Sequence, residues 1–151
     1  MHPMTIFGVA AAMTLGSVMV AHAQPMRWHG SGGWGPEGQY SRLYDPKTVE
    51  EDVGEITKVE RMTPMKGMST GIHFVLKTSK ESLSVHVGPE WYIEKQDVKL
   101  EPRDKVTVKG SRVMIYDQPA LIAAEITKGD QVLQLRDANG IPLWSGWRRR
   151  H

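Results

Sequence analysis

The chain has 151 residues, no cysteine and a formal charge of +2. Apolar residues make up 40%, which excludes a disordered chain, and the length behind a short leader holds one modest core and not two. The absence of cysteine excludes disulfides, thiolate zinc sites, c-type haem attachment and cysteine nucleophiles.

From Thr48 to Trp147 the acids outnumber Lys and Arg by 15 to 13, and the positive charge is concentrated in Arg148-Arg149-Arg150. The body is therefore slightly acidic. A nucleic-acid module shows a concentrated basic face, so nucleic acid is not expected as a partner.

Met4 to Val20 is apolar and uncharged and ends in Ala21-His22-Ala23, a small-x-small cleavage pattern. Residues 1–23 read as a signal peptide, although the n-region lacks Lys and Arg; retention as an anchor is the alternative. The mature chain is then expected in the periplasm or secreted, with no transmembrane segment after cleavage. Residues 24–47 form a linker in which Trp28, His29, Trp34, Tyr40 and Tyr44 sit among glycines. Glycine weakens any helix or strand there. The linker is either a tether whose aromatics lie back over the domain or an arm that grips a partner.

Asp45-Pro46 marks the start of the domain, placed at residues 48–151 with its C-terminal tail. Val53–Met62 is a first strand with a bulge or bend between Gly54 and Lys58, because Val53 and Val59 are out of phase with Ile56. Gly71–Thr78 and Ser82–Val87 alternate cleanly, with Phe74, Leu76, Leu83 and Val85 inward. Matching their apolar faces across the shortest turn pairs Phe74 with Val85, Leu76 with Leu83 and His73 with His86. Both histidines then lie on the face opposite the core. Pro89 fits the first turn of a short helix whose Trp91, Tyr92 and Ile93 plug one end. Lys105–Gly110, extended by Val113–Tyr116 after a break, then Ala120–Thr127 and Gln131–Arg136 complete the strands, with Leu133 and Leu135 inward. Asp137-Ala-Asn-Gly140 is a turn, and Ile141–Trp147 docks back as an edge strand or ordered tail.

Three strands, a short helix and then a hairpin outline an all-β fold, a small OB-like barrel with its helix between the third and fourth strands. An open sandwich or SH3-like barrel is the competing fold. Gly54-Glu55, Gly67-Met68-Ser69, His86-Val87-Gly88-Pro89, Trp91-Tyr92, Gly110-Ser111-Arg112, Ala123-Ala124-Glu125, Leu135-Arg136-Asp137 and Pro142-Leu143-Trp144 resemble the corresponding pieces of small exported bacterial proteins with an OB-like barrel. The resemblance implies fold and compartment and brings no activity with it.

No catalytic constellation stands out. The acids from Glu50 to Glu60 crowd the domain entrance without isolating a protonated one, and Ser84 and His86 lack an oxyanion feature. An enzyme is not expected. Five tryptophans, most of them outside clean strands, point instead to a non-enzymatic binding or accessory module. Its protein partner would meet Trp28, Trp34, Trp91, Tyr92, Trp144 and Trp147. The alternative is a metal carrier. His73 and His86 with Met65 and Met68 offer imidazole and thioether donors, which suit Cu(I). That set resembles in kind periplasmic copper chaperones on a small OB-like barrel, with the difference that the methionines here sit in a loop. Methionines filling gaps under a loop are the plain reading.

Overall fold

The computed structural model describes residues 32–145. Its strands are β1 (Val49–Met62), β2 (Gly71–Lys77), β3 (Ser82–Pro89), β4 (Lys105–Ile115), β5 (Gln118–Lys128) and β6 (Gln131–Gln134), with the short helix α1 (Glu90–Ile93) after β3. Alternation creates the core. Ile56, Phe74, Leu76, Val85, Val108 and Leu121 point to one side of their strands and are sealed from water, and this apolar burial is the main favourable term in folding.

The β2–β3 register is the one that parity requires: Phe74 pairs with Val85, Leu76 with Leu83 and His73 with His86. The irregularity expected in β1 lies between Ile56 and Lys58. Thr57, left unpaired, turns its hydroxyl to the Val75 carbonyl at 3.3 Å. Leu133 and Leu135 are buried, as their inward positions demand, while Val132 is exposed. The expected break at Gly110 is instead a bulge inside one long strand, where the pairing steps from Glu125 to Ala123 between Lys109 and Gly110.

The expected closed β-barrel is corrected. The strands form one six-stranded sheet in the order β3-β2-β1-β4-β5-β6, with these neighbours antiparallel. β3 also touches β5 in parallel, over the two pairs Val85–Leu121 and His86–Ile122. The reason lies in β5, which has one edge left after pairing with β4. It gives residues 121–122 of that edge to β3 and residues 125–128 to β6. The result is a coiled open sheet, OB-like in its strand order and in the position of α1, and not a continuous barrel.

The outer face near β2 and β3 is covered by the segment before β1, which runs through 3-10 turns at Ser41–Leu43 and Pro46–Thr48. Two glycines make this possible. Trp34 lies on Gly71, where a Cβ would collide with its six-membered ring, and Trp144 lies on Gly88, where a Cβ would stand 3.1 Å from its Cζ3. After the turn at Asp137–Gly140, the chain returns along β6, with Leu143 N–H donating to Leu135 O at 2.9 Å. Among the described residues no helix is long and apolar enough to cross a membrane.

Candidate functional site

The histidine pair sits under the covering segment. His86 is 4% exposed. Its Nδ1 shares a 3.2 Å hydrogen bond with the Tyr40 hydroxyl, and its ring packs edge-on to that of His73 at 5.9 Å. His73 Nε2 lies 3.4 Å from Glu60. Burial, and then the neighbouring His73, push His86 down to about 4. Burial also lowers His73, against the opposing pull of Glu60. Both shifts favour the neutral ring near pH 7, and His73 Nδ1 is buried with no hydrogen-bond partner among the described residues.

The expectation of a metal site is corrected. Among the described residues there is no group of three or more His, Asp or Glu side chains able to hold a metal ion. Met65 and Met68 are half-buried against the core. Met68 lies over Gly33, where a Cβ would stand 2.7 Å from its Cγ. Both loop methionines pack against the core, and His86 Nδ1 is bonded to Tyr40.

Three of the aromatic residues expected to meet a partner, Trp34, Tyr92 and Trp144, form a chain of rings with Tyr40. Tyr92 meets Trp144 at 5.4 Å, Trp144 meets Trp34 at 6.2 Å, and Trp34 meets Tyr40 at 5.1 Å. Trp34 Nε1 donates to Ser69 O at 3.0 Å, and Trp144 Nε1 donates to Trp34 O at 2.8 Å. Trp34, Tyr92 and Trp144 are buried, whereas Trp91 is half-exposed at the end of the chain. Trp28 and Trp147 lie outside the described residues.

Arg136 was not singled out from the sequence, where it reads as an outward charge at the end of the last strand. It is 4% exposed. The bulge residue Ala124 fixes it, accepting the N–H groups of both Leu135 and Arg136 at 2.8 and 3.1 Å. Its guanidinium carbon stands 5.8 Å from the Tyr40 ring, 5.8 Å from Tyr44 and 5.1 Å from Trp144. Cation–π attraction strengthens in such desolvated places. The usable signal was the run of aromatics in the linker, which needed somewhere to lie.

A second feature stayed hidden in the acids. Glu50 and Glu81 both hold Arg112, at 2.9 and 2.8 Å, and Arg112 keeps Glu50 below its ordinary range. Asp52, two residues along β1, is pushed up to about 6 by burial and by its hydrogen bond with Glu50.

The open feature of this end of the sheet is a cleft of about 430 Å³ between the loop after β1 and the β4–β5 hairpin. Met62, Thr63 and Pro64 form one wall, Tyr116 and Pro119 the other, and His86 lies in its floor. At the hairpin tip Met114 is 58% and Tyr116 67% exposed. The two-residue turn Tyr116-Asp117 has φ of 49° and 64°, the left-handed pair that a tight hairpin needs and that Asn-Gly normally supplies. A tyrosine there costs about 1 kcal/mol. Tyr116→Asn is therefore expected to raise stability by about 1 kcal/mol, read as a higher urea midpoint, while removing the most exposed ring of the cleft wall.

These observations define a class, an OB-like β-sheet module with open clefts along its sheet. The chain matches the model of the MamS/MamX magnetosome protein family over residues 48–133, and it belongs to that family. No curated protein matches it. Among solved structures it is similar to a chain of the S. pombe Stn1-ten1 complex, at 17% identity and a TM-score of 0.40, covering 77% of this chain and 87% of that one. The expectation that nucleic acid is not a partner rested on net charge alone, and it is not carried further. Glu50 and Glu81 share Arg112, Glu90 pairs with Arg61 and Asp104 pairs with Lys128, so four of the acids are already engaged with bases of the chain.

Proposed function

We propose that this chain is a non-enzymatic, exported accessory module of the magnetosome that holds a segment of a protein partner in the cleft between the β1–β2 loop and the β4–β5 hairpin. The observation that carries the reading is the hairpin tip. Met114 and Tyr116 are large, apolar and open to water, and Tyr116 keeps a left-handed backbone that asparagine or glycine would adopt more cheaply. Backbone strain of this kind gathers where a surface is used. Family membership supports the magnetosome assignment, and the apolar leader supports export. The half-exposed Trp91 would extend the contact.

A photo-crosslinking residue at Pro119, in the cleft wall, tests the proposal in cells that make the protein. The expected result is one discrete protein adduct in the magnetosome fraction, lost on Tyr116→Asp and absent when the crosslinker replaces Val53, which is exposed on β1 outside the cleft. Equal labelling from both positions, or an adduct indifferent to Tyr116→Asp, would overturn it.

A further inference from the structure

Arg136 is a buried cation, 4% exposed. Among the described residues no carboxylate stands within ion-pair distance of it. Two bonds satisfy one of its nitrogens, Nη1, which donates to Gly140 O at 3.0 Å and to Ser41 Oγ at 3.4 Å. Nε is sealed from water and has no acceptor. Nη2 likewise meets no acceptor among the described residues. The unused side of the guanidinium is thus its Nε–Nη2 edge, the side-on fork that takes the two oxygens of a carboxylate in parallel bonds.

That residue lines a cavity of about 370 Å³ that meets β5 further along the strand than the hairpin cleft does, lined by Tyr44, Val49, Ala124 and Ala138, with Lys109 also at it. Two acids also border it, and both are engaged. Asp137 Oδ1 accepts the N–H groups of Asn139 and Ile141, at 2.9 Å each, and Glu125 Oε1 accepts from Gln134 at 2.8 Å. The lining mixes the apolar Pro46, Val49, Ala124 and Ala138 with polar side chains, and the unpaired donors belong to a cation. A bare ion would leave the apolar residues wet; an organic acid covers them.

We infer that this cavity binds a small organic carboxylate on an apolar stem, its two oxygens on the Nε–Nη2 edge of Arg136 and its stem against Val49, Ala124 and Ala138. Tyr44, which both stacks on Arg136 and lines the cavity, shifts to admit it to Nε. The site is independent of the partner cleft, so either assignment stands if the other fails.

The experiment is titration of the full chain with acetate and isobutyrate, following arginine Nε–H resonances in proton–nitrogen spectra, with chloride and inorganic phosphate as comparisons. One resonance, absent in Arg136→Lys, is expected to shift saturably, with isobutyrate tighter than acetate. Arg136→Lys keeps the charge and loses the fork, and is expected to weaken binding about tenfold, read in that variant from the backbone amide resonances of Ala124 and Ala138. Lys109→Met, at an exposed lining residue, is expected to weaken it about threefold and serves if Arg136→Lys does not fold. A shift that never saturates, that chloride reproduces, that prefers phosphate, or that survives Arg136→Lys would overturn the inference.

Discussion

Trp144→Ala is expected to lower stability by about 3–5 kcal/mol, a large part of what a domain of this size possesses. The indole is fully buried. It fills the space over Gly88, forms one wall of the Arg136 cage at 5.1 Å and meets Tyr92 at 5.4 Å. Truncation leaves a cavity that the sheet beneath cannot close, and it strips one of three rings from a buried cation. It also leaves the Trp34 carbonyl without its 2.8 Å donor. Trp144→Phe retains most of the ring and loses the N–H, so a loss of about 1–3 kcal/mol is expected, the cost of the orphaned acceptor. Urea midpoints of the two variants separate the contributions. Equal losses would mean that the hydrogen bond matters more than the packing.

Acidification from about pH 6.5 to 4 is expected to remove roughly 3 kcal/mol of stability through His86. Its ordinary value is 6.5 and in the fold it falls to about 4. Folding therefore favours the neutral ring. Below pH 6.5 the unfolded chain takes up a proton that the folded chain refuses, so stability is full above that pH and declines until the folded ring itself titrates. His73, also lowered by burial, adds in the same direction. Asp52 acts in opposition. Its carboxyl rises from 3.8 to about 6, so its contribution is present at low pH and is lost as pH rises through 6. Its partial exposure leaves that contribution the smaller one, since solvent screens it. His86→Gln keeps a hydrogen-bond partner for Tyr40 and should flatten most of the pH profile, whereas Asp52→Asn should steepen it. A profile unchanged in His86→Gln would show that the imidazole is not the group responsible.

Much of the sheet was readable one strand at a time. The β2–β3 register followed from the parity of Phe74, Leu76, Leu83 and Val85, and the β1 irregularity from the phase of Ile56. Local alternation encodes these features because a one-residue slip would turn every apolar side chain into water. What alternation does not encode is the covering of the other face. His86 sat on the face opposite the core, as parity required, yet it is buried because Tyr40, 46 positions earlier, lies on it. Arg136 read as a solvated charge for the same reason, since the Ser41 hydroxyl that reaches it lies 95 positions away. The closed barrel failed on a long-range matter too: how β5 divides a single edge between β3 and β6.

The contact between Trp34 and Trp144 spans 110 positions, and it sets an order of events as the chain is made. Synthesis runs from the N-terminus, and contacts between distant residues are the slow ones to form. While the strands from β1 to β5 are emerging, Trp34 has neither the Trp144 N–H for its carbonyl nor a ring against its edge, and Tyr40 and Tyr44 have no guanidinium to enclose. The covering segment is the first of the described residues to be synthesised and among the last to be secured. Final packing therefore waits for Trp144, and a chain stopped before it carries a tryptophan-bearing flap held by its bonds to Ser69 and His86 above an otherwise paired sheet.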